Sequence, residues 1–256
     1  MPVRTHTRLG EPCWIDVMSS DPARSQEFYT RLFGWTATSW GDEYRNYVTF
    51  SKGDAPVAGL ATRQADTERP DTWLTYLAVS DVAEAAAACV AAGAQLVSGP
   101  TALGDQGRTA VVLDPAGASV ALWQADKFAG FGAVDEPGAP VWHEVVTGGY
   151  EAALAFYRTV FGWTPVDLGD SVDFRYSTFG PADAPVGGIY GVTDPEGSAS
   201  HWRVYLGVAD MPEAVARVVE LGGIVLREPW SSDFGTFAQV ADPSGALFLL
   251  GEVSPA

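Results

Sequence analysis

Phe28-Tyr29-Thr30-Arg31-Leu32-Phe33-Gly34-Trp35-Thr36 returns as Phe156-Tyr157-Arg158-Thr159-Val160-Phe161-Gly162-Trp163-Thr164, shifted by 128 positions in a chain of 256 residues. A repeat at half the chain length signals two similar modules. Outward from the motif, Trp14 maps to Trp142 and Asp114-Pro115 to Asp242-Pro243 at the same shift, while Pro56, Gly59, Tyr76 and Asp81 map to Pro185, Gly188, Tyr205 and Asp210 one residue later. The halves align with only two single-residue adjustments, so the chain reads as a duplication. Module 1 spans residues 1–125, a Gly- and Pro-rich linker spans 126–139, and module 2 spans 140–256.

The motif itself reads as a helix end. Asp21-Pro22 supplies an N-cap and a first-turn proline. Ser25, Phe28, Tyr29, Leu32 and Phe33 then form one stripe, Gly34 suits a left-handed cap, and Trp35 is placed to fold back on the helix. Strands are expected over Trp14–Met18, Tyr44–Phe50 and Val57–Thr62, the last two joined by the turn-forming Ser51-Lys52-Gly53-Asp54. A strand over Trp73–Val79 precedes a helix over Val82–Ala92 capped by Asp81, with Val82, Ala85, Ala86, Cys89 and Val90 as its buried stripe. Asp114-Pro115-Ala116-Gly117 is a type I turn between strands Thr109–Leu113 and Ser119–Gln124, with a further strand near Gln95–Val97. The fold class is α+β, with βαββ followed by βαββ in the pattern.

Composition narrows the functional classes. With 47% apolar and 18% charged residues, the chain has the makings of a packed core. A net charge of −17, with only 15 Lys and Arg spread along the sequence, excludes nucleic acid and anionic membranes as electrostatic partners. Met1–Pro12 lacks the apolar run of a signal peptide, and nothing approaches the roughly 20 apolar residues of a membrane span, so a cytoplasmic protein is expected. Cys13 and Cys89 face Val141 and the Arg217/Val218 region in the alignment, which makes them buried free thiols rather than a shared framework. The Gly pairs at 148–149, 187–188 and 222–223 sit at turns or caps, and no nucleophile elbow, phosphate loop or dinucleotide fingerprint is present.

A first strand, Asp-Pro, Phe-Tyr-x-x-x-Phe-Gly-Trp, and later Asp-Pro-x-Gly before a final strand together resemble the vicinal oxygen chelate superfamily, which includes glyoxalase I, bleomycin-resistance proteins and extradiol dioxygenases. The resemblance covers Pro12–Ala125 and Pro140–Val253. Within the superfamily the chain is most similar to two-module actinobacterial glyoxalase-like proteins, some named as hydroxylases and found beside antibiotic-biosynthesis genes. The resemblance implies tandem βαβββ modules with cupped mixed sheets, joined around a larger cavity. In metal-binding members it also implies ligands on the first strand, on a middle strand and on the last strand. Those positions fall here on Trp14 and Trp142, Leu74 and Arg203, and Ala121 and Leu249, none of which is a usable donor. No metal cofactor is therefore expected. An alternative set is His143, His201 and Glu252, if the register differs by one to three residues, although an odd shift would turn a side chain out of the cup.

Asp16 and Glu144 are equivalent, and each lies two residues after a strand tryptophan, on the same face. In an apolar cup either carboxylate would serve as acid or base; otherwise it pairs with an arginine such as Arg45, Arg175 or Arg203. Each of the strand aromatics Trp14, Tyr47, Trp73 and Tyr76, with Trp142, Tyr176, Trp202 and Tyr205, either packs in a core or lines a cavity suited to a flat apolar ligand, and Arg203 is a further candidate contact. Two functions follow. One is a metal-independent protein binding a small aromatic or polyketide-like molecule in a cavity between the sheets, in antibiotic biosynthesis or resistance. The other is an enzyme of the same superfamily, a lyase or a hydroxylase/oxygenase, using a divergent metal site or Asp16 and Glu144. Either a monomer or a homodimer is compatible with the duplication.

Overall fold

The computed structural model describes residues 7–63, 70–171, 174–192 and 200–254; residues 1–6, part of the Met1–Pro12 start, lie outside them. In the first half, strand β1 (Pro12–Ser19) leads into helix α1 (Pro22–Phe33) and strands β2 (Thr36–Ser39), β3 (Val48–Lys52) and β4 (Ala55–Thr62). The pattern repeats with β5 (Thr72–Ala78), α2 (Val82–Ala91), β6 (Gln95–Leu103), β7 (Gly107–Leu113) and β8 (Ser119–Ala125). The second half follows with β9 (Pro140–Thr147), α3 (Tyr150–Phe161), β10 (Val166–Asp170), β11 (Arg175–Phe179) and β12 (Gly187–Gly191), then β13 (His201–Val208), α4 (Met211–Glu220), β14 (Ile224–Ser232), β15 (Gly235–Ala241) and β16 (Leu247–Glu252). Each half thus holds two βαβββ units.

Those two units share one mixed eight-stranded sheet, in the order β2-β3-β4-β1-β5-β8-β7-β6 for the first half and β10-β11-β12-β9-β13-β16-β15-β14 for the second. At each sheet's centre the first strands of the two units run antiparallel, β1 beside β5 and β9 beside β13. Each of these strands pairs in parallel with the last strand of its own unit.

Local chemistry explains the helix boundaries. The Asp21 carboxylate accepts the Arg24 N–H at 3.2 Å, Pro22 occupies the first turn, and Gly34 closes α1 at φ 69°. Trp35 folds back to stack on Phe33, with ring centroids 4.7 Å apart. Other expectations need correction. Tyr44 lies in a 3-10 turn (Asp42–Tyr44), so β3 starts only at Val48. Arg45 and Asn46 are both left-handed, at φ 54° and 57°, which no strand accommodates. Val90 is exposed on α2, whose buried face is Val82, Ala86 and Cys89. The strand near Gln95 runs on for nine residues as an exposed sheet edge.

The cores lie between the two sheets, and each is built from both halves. Phe28 and Tyr29 of α1 pack against Phe248 of β16, with ring centroids 6.3 and 5.7 Å apart, in a core that also takes in Met211, Ala214 and Val218 of α4. In the other core Tyr150, Phe156 and Tyr157 of α3 join Val82, Ala86 and Cys89 of α2. Polar contacts tie the halves in the same reciprocal way. Trp35 Nε1 donates to the Gly138 carbonyl at 2.8 Å, and its counterpart Trp163 donates to the Gly10 carbonyl at 2.7 Å. The turn aspartates do likewise. Asp242 accepts from Ser25 Oγ at 3.0 Å, while Asp114 accepts from Tyr157 Oη at 3.1 Å. Each of these aspartates also caps its own turn through two backbone N–H groups. Cys13 and Cys89 are both buried thiols; Cys13 Sγ donates to the Tyr76 carbonyl at 3.4 Å, and burial pushes the Cys89 thiol up to about 11.

Candidate functional site

Strand alternation puts Trp14 and Asp16 on the concave face of the first sheet. Across the sheet Trp14 pairs with Tyr76, Tyr76 with Ala121, and Asp16 with Leu74 on one side and Gly59 on the other. Asp16, 4% exposed, is the polar centre of the cup floor. Its Oδ1 accepts Trp14 Nε1 at 2.9 Å and Tyr47 Oη at 2.6 Å, and its Oδ2 accepts Tyr76 Oη at 2.6 Å. The Trp14 N–H also reaches the Tyr47 oxygen at 2.8 Å. Gly59 makes room for the cluster, since a Cβ there would stand 1.9 Å from Tyr47 Oη and 2.1 Å from Asp16 Oδ1.

Above this floor lies a cavity of about 310 Å³. Its walls are Trp40 and Tyr44 from the β2–β3 connection, Trp123 of β8, Phe128 of the linker, and Ala102 and Leu103 at the end of β6. Trp40 Nε1 is committed to Thr49 Oγ1 at 2.9 Å and Trp123 Nε1 to the Phe128 carbonyl at 2.9 Å, so both indoles present ring surface rather than free donors. Gly104 lets the two ends of the curved sheet meet at the mouth, because a side chain there would collide with the Tyr44 hydroxyl. The cavity lies within one cup. The space between the sheets, where the sequence suggested a cavity, holds the helices and both cores.

Burial raises the Asp16 carboxyl above its ordinary range, opposed by the hydrogen bonds from Tyr47, Tyr76 and Trp14. Tyr47 and Tyr76 are pushed well above the usual phenol range, first by burial and then by the Asp16 charge. The arrangement keeps both tyrosines protonated as donors and leaves Asp16 the group whose proton state can change.

The second sheet repeats the cluster with one decisive change. Trp142 Nε1 donates to Tyr176 Oη at 2.9 Å, and Tyr205 Oη donates to Glu144 Oε1 at 3.1 Å. Arg203 replaces Leu74, and its Nη1 meets Glu144 Oε1 at 3.3 Å. Burial raises the Glu144 carboxyl, and the Arg203 charge is the strongest influence pulling it back. Of the arginines considered as partners, Arg203 thus pairs with a cup carboxylate. Arg175 pairs with Glu151 and Asp170, and Arg45 stands exposed at the rim of the first cavity.

The structure brings together Trp14, Asp16, Tyr47 and Tyr76 in one cup and Trp142, Glu144, Tyr176, Arg203 and Tyr205 in the other. Trp73 and Trp202 face the cores, against Tyr29 and Tyr157. The sequence reading missed Trp123, although it lies two residues after Ala121 and so on the same face. Trp40, Tyr44 and Phe128 lie in irregular segments with no periodic signal to expose them.

The divalent metal implied by the fold finds no fitting donors. The row Trp14, Tyr76, Ala121 and the row Trp142, Tyr205, Leu249 cross the cup floors, where Asp16 and Glu144 are buried carboxylates already engaged by hydrogen bonds, while Glu43 stands exposed on the wall of the first cup. His143, His201 and Glu252 are not gathered: His143 stacks on Phe131 on the face opposite Glu144, His201 pairs with Val146 at the start of β13, and Glu252 accepts the Met211 N–H at 3.1 Å. Among the described residues no three His, Cys, Asp or Glu side chains are grouped to hold a metal ion.

Comparison with known proteins agrees with the fold. Residues 13–122 match the Glyoxalase/Bleomycin resistance protein/Dioxygenase superfamily and residues 144–251 match the glyoxalase-like domain. The anthracycline biosynthesis protein DnrV of Streptomyces peucetius is 35% identical over 95% of this chain and 94% of its own. CFP32 of Mycobacterium bovis, named after the glyoxylases, is 34% identical over 100% of this chain and 99% of its own. The Mn(II)-bound glyoxalase from Novosphingobium aromaticivorans superposes with a TM-score of 0.68 at 19% identity, covering 96% of this chain and 82% of that one. The 2,3-dioxygenase LapB from Pseudomonas sp. KL28 does so with a TM-score of 0.67 at 14% identity, covering 94% and 91%.

Proposed function

Since the chain belongs to the Glyoxalase/Bleomycin resistance protein/Dioxygenase superfamily, we propose that it uses that fold to bind a small, flat aromatic or polyketide-like molecule in the first cup without a metal ion. The observation that carries this reading is the cavity of about 310 Å³, walled by aromatic rings over one hydrogen-bonded carboxylate. That volume is at the lower end of the roughly 300–1,000 Å³ usual for small-molecule sites, and rings with a few polar groups suit flat apolar ligands. The similarity to DnrV supports a place in the biosynthesis of such compounds or in resistance to them. The protein would act in the cytoplasm as a monomer or homodimer.

The test is titration of chelator-treated protein with a panel of polycyclic phenols, read by quenching of tryptophan fluorescence. Saturable quenching is expected, unchanged by added Fe, Mn, Ni or Zn. Ala102→Trp, which fills the cavity from an exposed edge strand, should weaken binding at least roughly tenfold. Stoichiometric metal in protein purified without chelator, lost on His143→Ala, would overturn the metal-free reading. A second reading, an acid/base enzyme of the same superfamily, is favoured by the raised Asp16 carboxyl at the cup floor. Turnover of a bound phenol that disappears in Asp16→Asn while binding persists would establish it.

A further inference from the structure

We propose that the first cup selects its ligand by hydrogen-bond polarity: it takes a neutral hydroxyl group as a donor onto Asp16 and Tyr76 and rejects the corresponding ether. The inference rests on the binding reading above and specifies the ligand chemistry of that same site.

The polarity of the floor follows from where its hydrogens point. With Asp16 ionised, the floor has three polar hydrogens, on Trp14 Nε1, Tyr47 Oη and Tyr76 Oη, and all three point at the carboxylate. None is left for a ligand. What remains is acceptor capacity: Asp16 Oδ2 receives only the Tyr76 bond, and the Tyr76 oxygen still has lone pairs, whereas Oδ1 already receives two bonds. The indole N–H groups of the walls add no donor, since Trp40 and Trp123 are committed to Thr49 and to the Phe128 carbonyl; of the other donors that line the cavity, Gln106 is committed to Asp105, and Arg45 and the Tyr44 hydroxyl stand at the rim and mouth, not on the floor.

A ligand group that reaches this floor must therefore bring its own hydrogen. A phenolic hydroxyl does so and gains a charge-assisted bond. A methyl ether or ketone would set its oxygen lone pairs against those of Asp16, and a carboxylate or sulfonate would add like charge beside a buried acid. The second cup lacks this polarity, because Arg203 brings guanidinium donors to Glu144. Leu74, which pairs with Asp16 at the equivalent place, brings none.

The experiment compares 9-phenanthrol with 9-methoxyphenanthrene, titrated into the wild-type protein in a series from about pH 6 to 9, because burial raises the Asp16 carboxyl and the preference belongs to its ionised form. The phenol is expected to bind roughly tenfold or more tightly than the ether, the usual size of one hydrogen bond to a charged group. Asp16→Asn, which exchanges an acceptor for an N–H₂ donor, should erase that preference and improve binding of the ketone 9-fluorenone. If Asp16→Asn does not fold, the wild-type comparison stands alone, and Tyr76→Phe, which frees Oδ2, should keep the preference for phenol. Equal binding of phenol and ether overturns the polarity rule while leaving the cavity as an aromatic site. Binding of neither compound overturns the binding reading itself, and the polarity rule with it.

Discussion

Asp16 couples folding to pH with a sign that follows from its burial. Its carboxyl is raised in the folded chain, so as pH climbs above about 3.9 the unfolded chain loses that proton while the folded one retains it, and this contribution to stability falls until the folded carboxyl also ionises. Replacing Asp16 by Asn removes this pH dependence. Thermal melts of wild type and Asp16→Asn across the acid to neutral range should therefore diverge in favour of the variant as pH rises; a constant difference would show that Asp16 does not titrate differently in the two states. Gly59 is the second residue on which the floor depends. Gly59→Ala should displace Tyr47 from Asp16, cost about 1–3 kcal/mol in a chemical-denaturation measurement, and weaken ligand binding with it. Full ligand binding in a stable Ala variant would separate the cluster from the site. The alternation rule was enough to place Trp14 and Asp16 on one face from sequence, and Tyr47 and Tyr76 join them. What it could not supply was the partner of each carboxylate, because whether Leu74 or Arg203 stands opposite depends on the pairing of β1 with β5 and of β9 with β13.

At the scale of elements, α1 was legible because its signals are local: an Asp N-cap, a first-turn proline, an apolar stripe and a left-handed glycine all lie within 14 residues, Asp21 to Gly34. Short edge strands were not legible. Thr36–Ser39 and Val166–Asp170 bury little, so their sequences carry no alternation, and pairing with a neighbouring strand defines them. The repeated Phe-Gly-Trp shows how a local reading can be right and incomplete. Gly34 and Gly162 do end helices, yet Trp35 and Trp163 also carry an N–H to a carbonyl in the other half. Trp35→Phe and Trp163→Phe keep most of the ring packing and lose that bond, so each should destabilise the protein by about 1–3 kcal/mol, read from denaturant midpoints. No effect from either would reduce these contacts to incidental proximity.

For the whole molecule, the duplication announced two modules but not how they share a core. Because α1 packs with α4 and α2 with α3, either half alone would expose one side of both cores. Residues 1–125 and 126–256 produced separately should lack cooperative melting and fixed near-ultraviolet dichroism, and regain both on mixing, while the intact chain melts in one transition. Independent cooperative folding of either half would contradict the shared-core arrangement.

The paired bonds of Trp35 to Gly138 and of Trp163 to Gly10 have the form i-to-j and j-to-i that a twofold axis imposes on two identical subunits, and each turn aspartate, Asp242 or Asp114, likewise reaches the first helix of the other half, through Ser25 of α1 or Tyr157 of α3. The chain has the architecture of a homodimer whose subunits became covalently joined. In a true homodimer any change at the cup is made twice. The joined chain is free of that constraint, and its two cups differ: one carries Arg203 and a buried ion pair, the other Leu74 and an open, acceptor-lined floor.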